Sequence, residues 1–311
     1  MRRASELLLQ AQSARFAGLD PLLPPATKPP DGDVLTAALP DGERVAGVVV
    51  RTALEPGSVG TLWSALDVWE LHPLLGMAGG TGMDALLRQW QRVMARGSTG
   101  ADSAGVVTWP TRDAEASRAL LDHGLVPLSA IAVRTAAAIP ARRPGGVRTG
   151  IRRAAPPDSD IVVRLELAEL EYSALVGGAI MRPEAAALKR SSVSRHLTQG
   201  DPVWLAERDG VAVGMTQCWL TDAEPGSWPA IRLPAGRWGY VNCLSVVPGE
   251  RGTGVGGELM AVAHAELHRL GAVSTFLYYH VPNPLSSVFW ARQGYRPLWT
   301  TWEVRPAGAL R

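Results

Sequence analysis

The chain repeats itself, and this constrains its fold more than any other feature. In the first half an Asp41-Gly42 pair lies between two apolar stretches, and Asp209-Gly210 does the same in the second half. Asp-Gly between such stretches is a strong β-hairpin signal, because both residues tolerate the positive φ of a tight hairpin turn. Each half then has a glycine-rich loop that opens a helix: GGTG at Gly79 to Gly82, running to Gly97, and GTGVGG at Gly252 to Gly257, running to Gly271. A short strand follows in each (AGVVTW, VSTFLYYH), then a helix, then a turn, Gly124-Leu-Val-Pro-Leu128 or Gly294-Tyr-Arg-Pro-Leu298. Asp113 precedes Gly124 by the same eleven residues that separate Asn283 from Gly294. This agreement in order and spacing indicates an internal duplication, with a period long enough for two copies of a domain rather than a solenoid.

Two domains also suit a length of 311 residues, which exceeds what one core usually serves. Residues Thr135 to Val147, TAAAIPARRPGGV, have the composition of a linker. The sequence therefore predicts a first domain over 1–140 and a second over 147–311. In the second copy, strands are expected at Val147 to Arg153 and Tyr240 to Val247, helices at Asp160 to Val176 and Pro183 to Thr198, and a hairpin over Val203 to Thr221. That order predicts an α/β (α+β) fold in which each copy is a mixed, mostly antiparallel sheet flanked by helices.

With 46% hydrophobic and 19% charged residues the chain should be globular. A net charge of +2, spread along the chain, argues against nucleic acid as a partner. No apolar run approaches the ~20 residues of a membrane span. Glu6, Gln10 and Gln12 interrupt the opening MRRASELLLQAQSARF, which reads as an amphipathic helix rather than a signal peptide. A cytoplasmic protein, monomeric or homodimeric, is expected. Cys218 and Cys243 lie in no ligand spacing, so buried thiols and no metal site are expected.

The chemistry concentrates after the strand Leu244-Ser-Val-Val247, where Pro-Gly-Glu-Arg-Gly-Thr-Gly-Val-Gly leads into a helix. Glycines at a helix start let backbone approach an anion, free N–H groups and the helix dipole favour negative charge, and Arg251 adds a forked cation. A P-loop requires Gly-Lys-Ser/Thr, and here Gly256 is followed by Gly257-Glu258. Gly252, Gly254 and Gly257 satisfy GxGxxG, but four residues separate the strand from the first glycine, and no acid lies near Leu277 to Tyr279 for a ribose.

Arg251-Gly252-Thr253-Gly254-Val255-Gly256, after a strand ending in Val-x-Pro, resembles the coenzyme A pyrophosphate loop of the GCN5-related N-acetyltransferase (GNAT) family. The likeness continues at Asn283, Ser286, Trp290 and Gly294-Tyr295, and covers roughly Val147 to Arg305. Tandem architecture and length are similar to the mycothiol synthase arrangement within that family. The resemblance implies acetyl-CoA or another acyl-CoA as co-substrate, without a metal, with its pantetheine arm between two splayed strands near Leu244, Ser245 and Val246. It implies direct transfer of the acetyl group to the amine of a small molecule.

The family's usual acid and base are missing: Trp290 stands where a tyrosine is common, and Asn242 where a glutamate is. His280 is the expected proton relay, with Tyr278 as substitute; strand alternation predicts that Tyr278 and Tyr279 point to opposite faces. In the first copy Met77, Asp113 and Leu120 replace Arg251, Asn283 and Trp290, which predicts a degenerate site. A non-catalytic acyl-CoA sensor or scaffold is the alternative function. A Fem-type aminoacyl transferase also doubles this fold but does not need the Arg251 loop.

Overall fold

The computed structural model describes residues 2–97, 99–135 and 149–311. The first copy runs α1 (Arg2–Leu19), β1 (Asp33–Ala38), β2 (Arg44–Ala53), a 3₁₀ turn (Val59–Leu62), β3 (Asp67–Leu74), α2 (Gly79–Met94), β4 (Ser103–Pro110), α3 (Ala114–Asp122) and β5 (Val126–Thr135). The second runs β6 (Gly150–Arg153), α4 (Ser159–Leu175), α5 (Ala185–Gln199), β7 (Val203–Arg208), β8 (Val211–Ala223), α6 (Trp228–Arg232), β9 (Gly236–Val246), α7 (Val255–Arg269), β10 (Ser274–His280), α8 (Pro284–Arg292) and β11 (Arg296–Val304). The expected boundary between copies, 140 to 147, lies outside the described residues, as do the first residues of the strand expected at Val147.

Local chemistry accounts for most elements. Both Asp-Gly pairs turn hairpins, β1–β2 and β7–β8; Gly42 has φ 89°, and Asp209 and Gly210 have φ 51° and 75°. Helix α2 buries Met83, Leu86, Leu87, Trp90 and Met94 at helical spacing. In α7 the buried apolar face is Val255, Leu259, Met260, Ala263 and Leu267. Each fully buried leucine contributes about 1.5–3 kcal/mol relative to exposure. Both expected thiols are buried, and desolvation pushes Cys218 up to about 12.

The strands form one sheet of eleven in the order β1-β2-β3-β4-β11-β5-β10-β9-β8-β7-β6. The sequence halves are therefore not two separate sheets. Each copy sends its last strand into the other: β5 pairs antiparallel with β10, β11 pairs antiparallel with β4, and the two exchanged strands pair with each other in the middle. The largest apolar core accordingly draws on both halves, with Phe16 and Trp109 of the first against Trp299 of the second. Phe16 meets Trp109 and Trp299 edge-on at 5.4 and 5.5 Å, and Arg296 pairs with the buried Asp20.

Candidate functional site

Strands β9 and β10 run parallel but pair only over Trp238 to Val241 against Ser274 to Leu277. Beyond that point β10 follows β5, while β9 continues to Val246 paired with β8 alone. The strands thus diverge, and a cleft of about 1170 Å³ opens between them, walled by Leu244, Ser245, Val246, the Arg251 loop and α8.

At the cleft's mouth the loop has the conformation that its glycines permit. Gly252 (φ 82°) and Gly254 (φ 103°) are left-handed, and a Cβ on Gly252 would meet no atom within 4 Å, so backbone conformation rather than space demands glycine there. Gly254 is the N-cap of α7 and supplies no side-chain cap, leaving first-turn N–H groups for an anion. The Arg251 guanidinium lies 4.8 Å over the Tyr172 ring, and its Nε donates to the Val246 carbonyl at 3.1 Å. Open N–H groups, two left-handed glycines and a held arginine fit a diphosphate. Glu250, inside the loop, is neutralised by Arg208 rather than left as a free charge.

Two expected members serve the loop more than the cleft. Thr253 turns its hydroxyl back to the Glu250 carbonyl at 2.8 Å, and Val255 is buried in an apolar cluster with Leu259 and Val213. Asn283 caps α8, its Oδ1 accepting from Leu285 N at 3.0 Å and Ser286 N at 3.2 Å. Ser286 donates to the His280 carbonyl at 3.3 Å, joining the end of β10 to α8. Trp290 lines the cleft but is packed edge-on against Phe289 and Tyr295.

The two relay candidates are placed differently. His280 lines the cleft, stacks on Trp63 of the first copy (centroids 5.7 Å apart), and has a buried Nδ1 without a hydrogen-bond partner. Burial pushes its pKa down to about 4, so the ring is neutral at pH 7. Tyr278 stacks on Trp228 and meets Tyr240 edge-on, with its hydroxyl pushed up by burial. Tyr278 and Tyr279 pack against different apolar clusters, as alternation requires.

The helices over Asp160 to Thr198 were expected to shape the acceptor pocket, but no residue of this opposite wall was named from the sequence. Helix α4 presents Glu169, Tyr172 and Ser173 to the cleft, and the first copy adds Trp63, Leu128 and Ser129. Ser173 donates to Glu169 Oε1 at 2.6 Å, yet desolvation dominates and holds the Glu169 carboxyl above its ordinary range. The signal was present as Glu166, Glu169 and Ser173 at helical spacing in LELAELEYS, but the sequence does not reveal which face of α4 is inward. Asn242, at the family's glutamate position, donates instead to Gln217 Oε1 at 2.6 Å.

The corresponding groove of the first copy is filled by its own helix. Strands β3 and β4 pair from Asp67 to Leu71, and β3 then continues to Leu74. There Gln12 of α1 satisfies the backbone as an inserted strand would: its Nε2 donates to Pro73 O at 3.1 Å, and its Oε1 accepts from Leu75 N at 2.7 Å. Arg15, one helical turn on, makes a two-pronged bond to Asp113 (2.9 and 2.7 Å) beside the start of α2. A Cβ on Gly79 would lie 2.8 Å from Arg15 Nη2 and 2.6 Å from Glu115 Oε2. Among the described residues, no group of His, Cys, Asp and Glu has the arrangement of a metal site, and no helix is long and apolar enough to cross a membrane.

Residues 168–295, which span this cleft, match the family model described as acetyltransferase (GNAT) family. No curated protein matches the sequence. Among solved structures, a GCN5-related N-acetyltransferase from Sphaerobacter thermophilus aligns over 97% of this chain and 93% of its own, at 15% identity and TM-score 0.56. One from Ralstonia eutropha JMP134 covers 48% of this chain and 94% of its own (22% identity, TM-score 0.39). A predicted acetyltransferase from Clostridium acetobutylicum, solved with acetyl-CoA, covers 46% and 88% (17% identity, TM-score 0.37). Residues 168–295 thus match the GNAT family model, and along its whole length the chain has the fold of two GNAT-type copies in tandem.

Proposed function

We propose that the second copy transfers an acetyl group from acetyl-CoA to the amine of a small-molecule acceptor, by direct attack and without a metal. The observation that carries this reading is the divergence of β9 from β10 next to the Arg251 loop, because one continuous cleft then joins an anion seat to an unpaired strand edge. Bound there, acetyl-CoA would supply an activated thioester carbon. Arg251 and the N–H groups from Gly252 to Gly256 hold the diphosphate, and the β9 edge at Leu244, Ser245 and Val246 aligns the arm. Asn283 and Ser286 fix the opposite lip.

The amine must lose its proton to become a nucleophile, and Glu169 is the group suited to take it. Its carboxyl lines the same cleft, and its raised pKa makes it a stronger base than an exposed glutamate. His280, neutral and stacked on Trp63, orients rather than titrates at physiological pH. Trp290 supplies cleft wall and no acid, so the departing thiolate takes its proton from water or from the acceptor.

The test is incubation of purified protein with acetyl-CoA and a panel of amines, reading free thiol and acetylated product together. Transfer to at least one amine is expected. Tight binding of acetyl-CoA with no product from any amine would support the alternative of an acyl-CoA sensor, which Trp290 and the hydrogen-bonded Asn242 favour.

A further inference from the structure

The acceptor side of the cleft is not closed by the second copy alone. Residues 176–184 link α4 to α5, and the first copy fastens this linker at three points. Ile180 N donates to Leu62 O at 2.8 Å, and Arg182 Nε donates to Thr61 O at 3.1 Å. The Arg182 guanidinium also forks onto Asp102, the residue before β4, at 2.7 and 3.2 Å. Such a two-pronged bond fixes direction as well as distance. Between these points the fully buried Leu62 packs with Leu170 of α4, Ala179 of the linker and Ala185 of α5.

The linker leads directly to the groups of the cleft. Gly178 N donates to Ser173 O at 2.8 Å, and the Ser173 hydroxyl donates to Glu169. Gly178 also lies against the His280 ring, where any Cβ would overlap the imidazole, so the close approach of backbone to ring demands glycine. Trp63 stacks on the same ring at 5.7 Å and has the Lys189 ammonium of α5 at 5.3 Å from its centroid. His280 is thus packed against both the linker and the first copy.

We propose that the first copy acts on the reaction as a clamp: Asp102 and Trp63 are positioning residues that, through Arg182 and the 176–184 linker, hold Glu169 and His280 toward the acceptor. Two of the three fastening points are backbone carbonyls, which substitution leaves in place, so Asp102 and Arg182 are where the clamp is open to test. This deepens the reading of the cleft as an amine acetyltransferase site and rests on it.

A fastened wall keeps water from Glu169, and desolvation is what holds that carboxyl above its ordinary range. Loosening the linker admits water, so the Glu169 pKa should fall. The charged and titratable groups that act on Glu169 are Glu166 on α4, Lys189 on α5, and Tyr240 and Cys243 on β9, the last two kept uncharged by burial. Arg182→Met alters none of them.

The test compares the full chain with Arg182→Met and Asp102→Asn. In both variants, with coenzyme A bound, amide hydrogen exchange across 176–182 should rise about tenfold or more while exchange across 251–257 stays unchanged. With the amine that the wild type acetylates fastest, kcat should fall about tenfold or more at an acetyl-CoA KM within a few-fold of wild type. The acid limb of kcat/KM should move to lower pH. Arg182→Lys, which keeps a cation beside Asp102, should recover part of both effects. Glu169 is also read without turnover, as the infrared carboxyl band that Glu169→Gln removes from the coenzyme A-bound protein, and its titration should move to lower pH in Arg182→Met. Unchanged exchange in the linker would overturn the proposal. So would raised exchange with kcat, the acid limb and the carboxyl titration all unchanged, because the contact would then be structural support alone. If no amine is acetylated, the acetyltransferase reading fails, and the clamp stands or falls on the exchange and the carboxyl titration.

Discussion

At the residue scale the site depends on a few groups whose failures have different signatures. Arg251 contributes a cation to the anion seat, and hydrogen bonds to charged groups are worth about 1.5–3 kcal/mol, so losing it should weaken coenzyme A binding about tenfold or more. Arg251→Glu adds repulsion and should abolish measurable binding by calorimetry, while Met77→Glu, at the exposed equivalent in the first copy, should leave it nearly unchanged. Glu169 makes a kinetic prediction. With its pKa raised, Glu169 is protonated and inactive on the acid side and becomes a base as pH rises through that value. The acid limb of kcat/KM should therefore lie above the ordinary carboxylate range. Glu169→Gln should lower kcat by about a hundredfold or more and remove that limb, with acetyl-CoA affinity within a few-fold. An unchanged limb in the variant would assign the proton to another group. The anion seat was legible in the sequence because its chemistry is local: Arg251 and its glycines are consecutive. Glu169 was not, because its role depends on which face of α4 packs over a cleft made by strands more than sixty residues away.

At the scale of elements, the duplication explains why two similar loops do different work. In both copies an acid or amide caps the helix after the parallel strand, Asp113 for α3 and Asn283 for α8. The equal spacing of Asp113 and Asn283 from their glycines was legible; their capping role is shown by the structure. Their different consequence comes from α1, which sends Gln12 and Arg15 into the first groove, whereas α4 leaves the second open. Burial disfavours the charge on Asp113, but its bonds to Arg15 and Trp109 prevail and hold its pKa below the usual range. Asp113 therefore contributes stability that is present above the unfolded-state carboxylate pKa and is lost as pH falls through the lower folded value. Asp113→Ala strips a side chain that is 1% exposed, leaves Arg15 without its main partner, and removes the α3 cap. A loss of about 3–5 kcal/mol is expected, read as a lower midpoint in chemical denaturation at pH 7. The same substitution should not open a second coenzyme A site, since Gln12 still fills the β3 edge.

At the scale of the whole molecule, the exchange of β5 and β11 makes the halves interdependent. The sequence reported two copies correctly, because hairpin turns, glycine loops and spacing are local or periodic. It held no sign of the exchange: β5 and β11 have similar apolar patterns, and an antiparallel strand fits beside either β4 or β10 on pattern alone. Specificity resides in side chains that meet only in the exchanged arrangement. Examples are Thr111 against Thr300 at 2.9 Å and Thr108 against Thr301 at 3.2 Å. If the halves are produced separately as 1–140 and 147–311, each carries a terminal strand whose pairing partners lie in the other half, and each exposes the edge that its partner should cover. Exposed strand edges and the apolar surface around Trp109, Trp299 and Trp302 favour aggregation. Each half alone should therefore be poorly soluble, with little cooperative unfolding. Co-expressed, they should assemble into a one-to-one complex that binds one equivalent of coenzyme A, since the cleft beside the Arg251 loop depends on β5 to hold β10 and on Trp63 to back His280. Size-exclusion chromatography and calorimetry measure both quantities. A second half that folds as a soluble monomer and binds coenzyme A as tightly as the full chain would show that the exchanged strands are not required for the site.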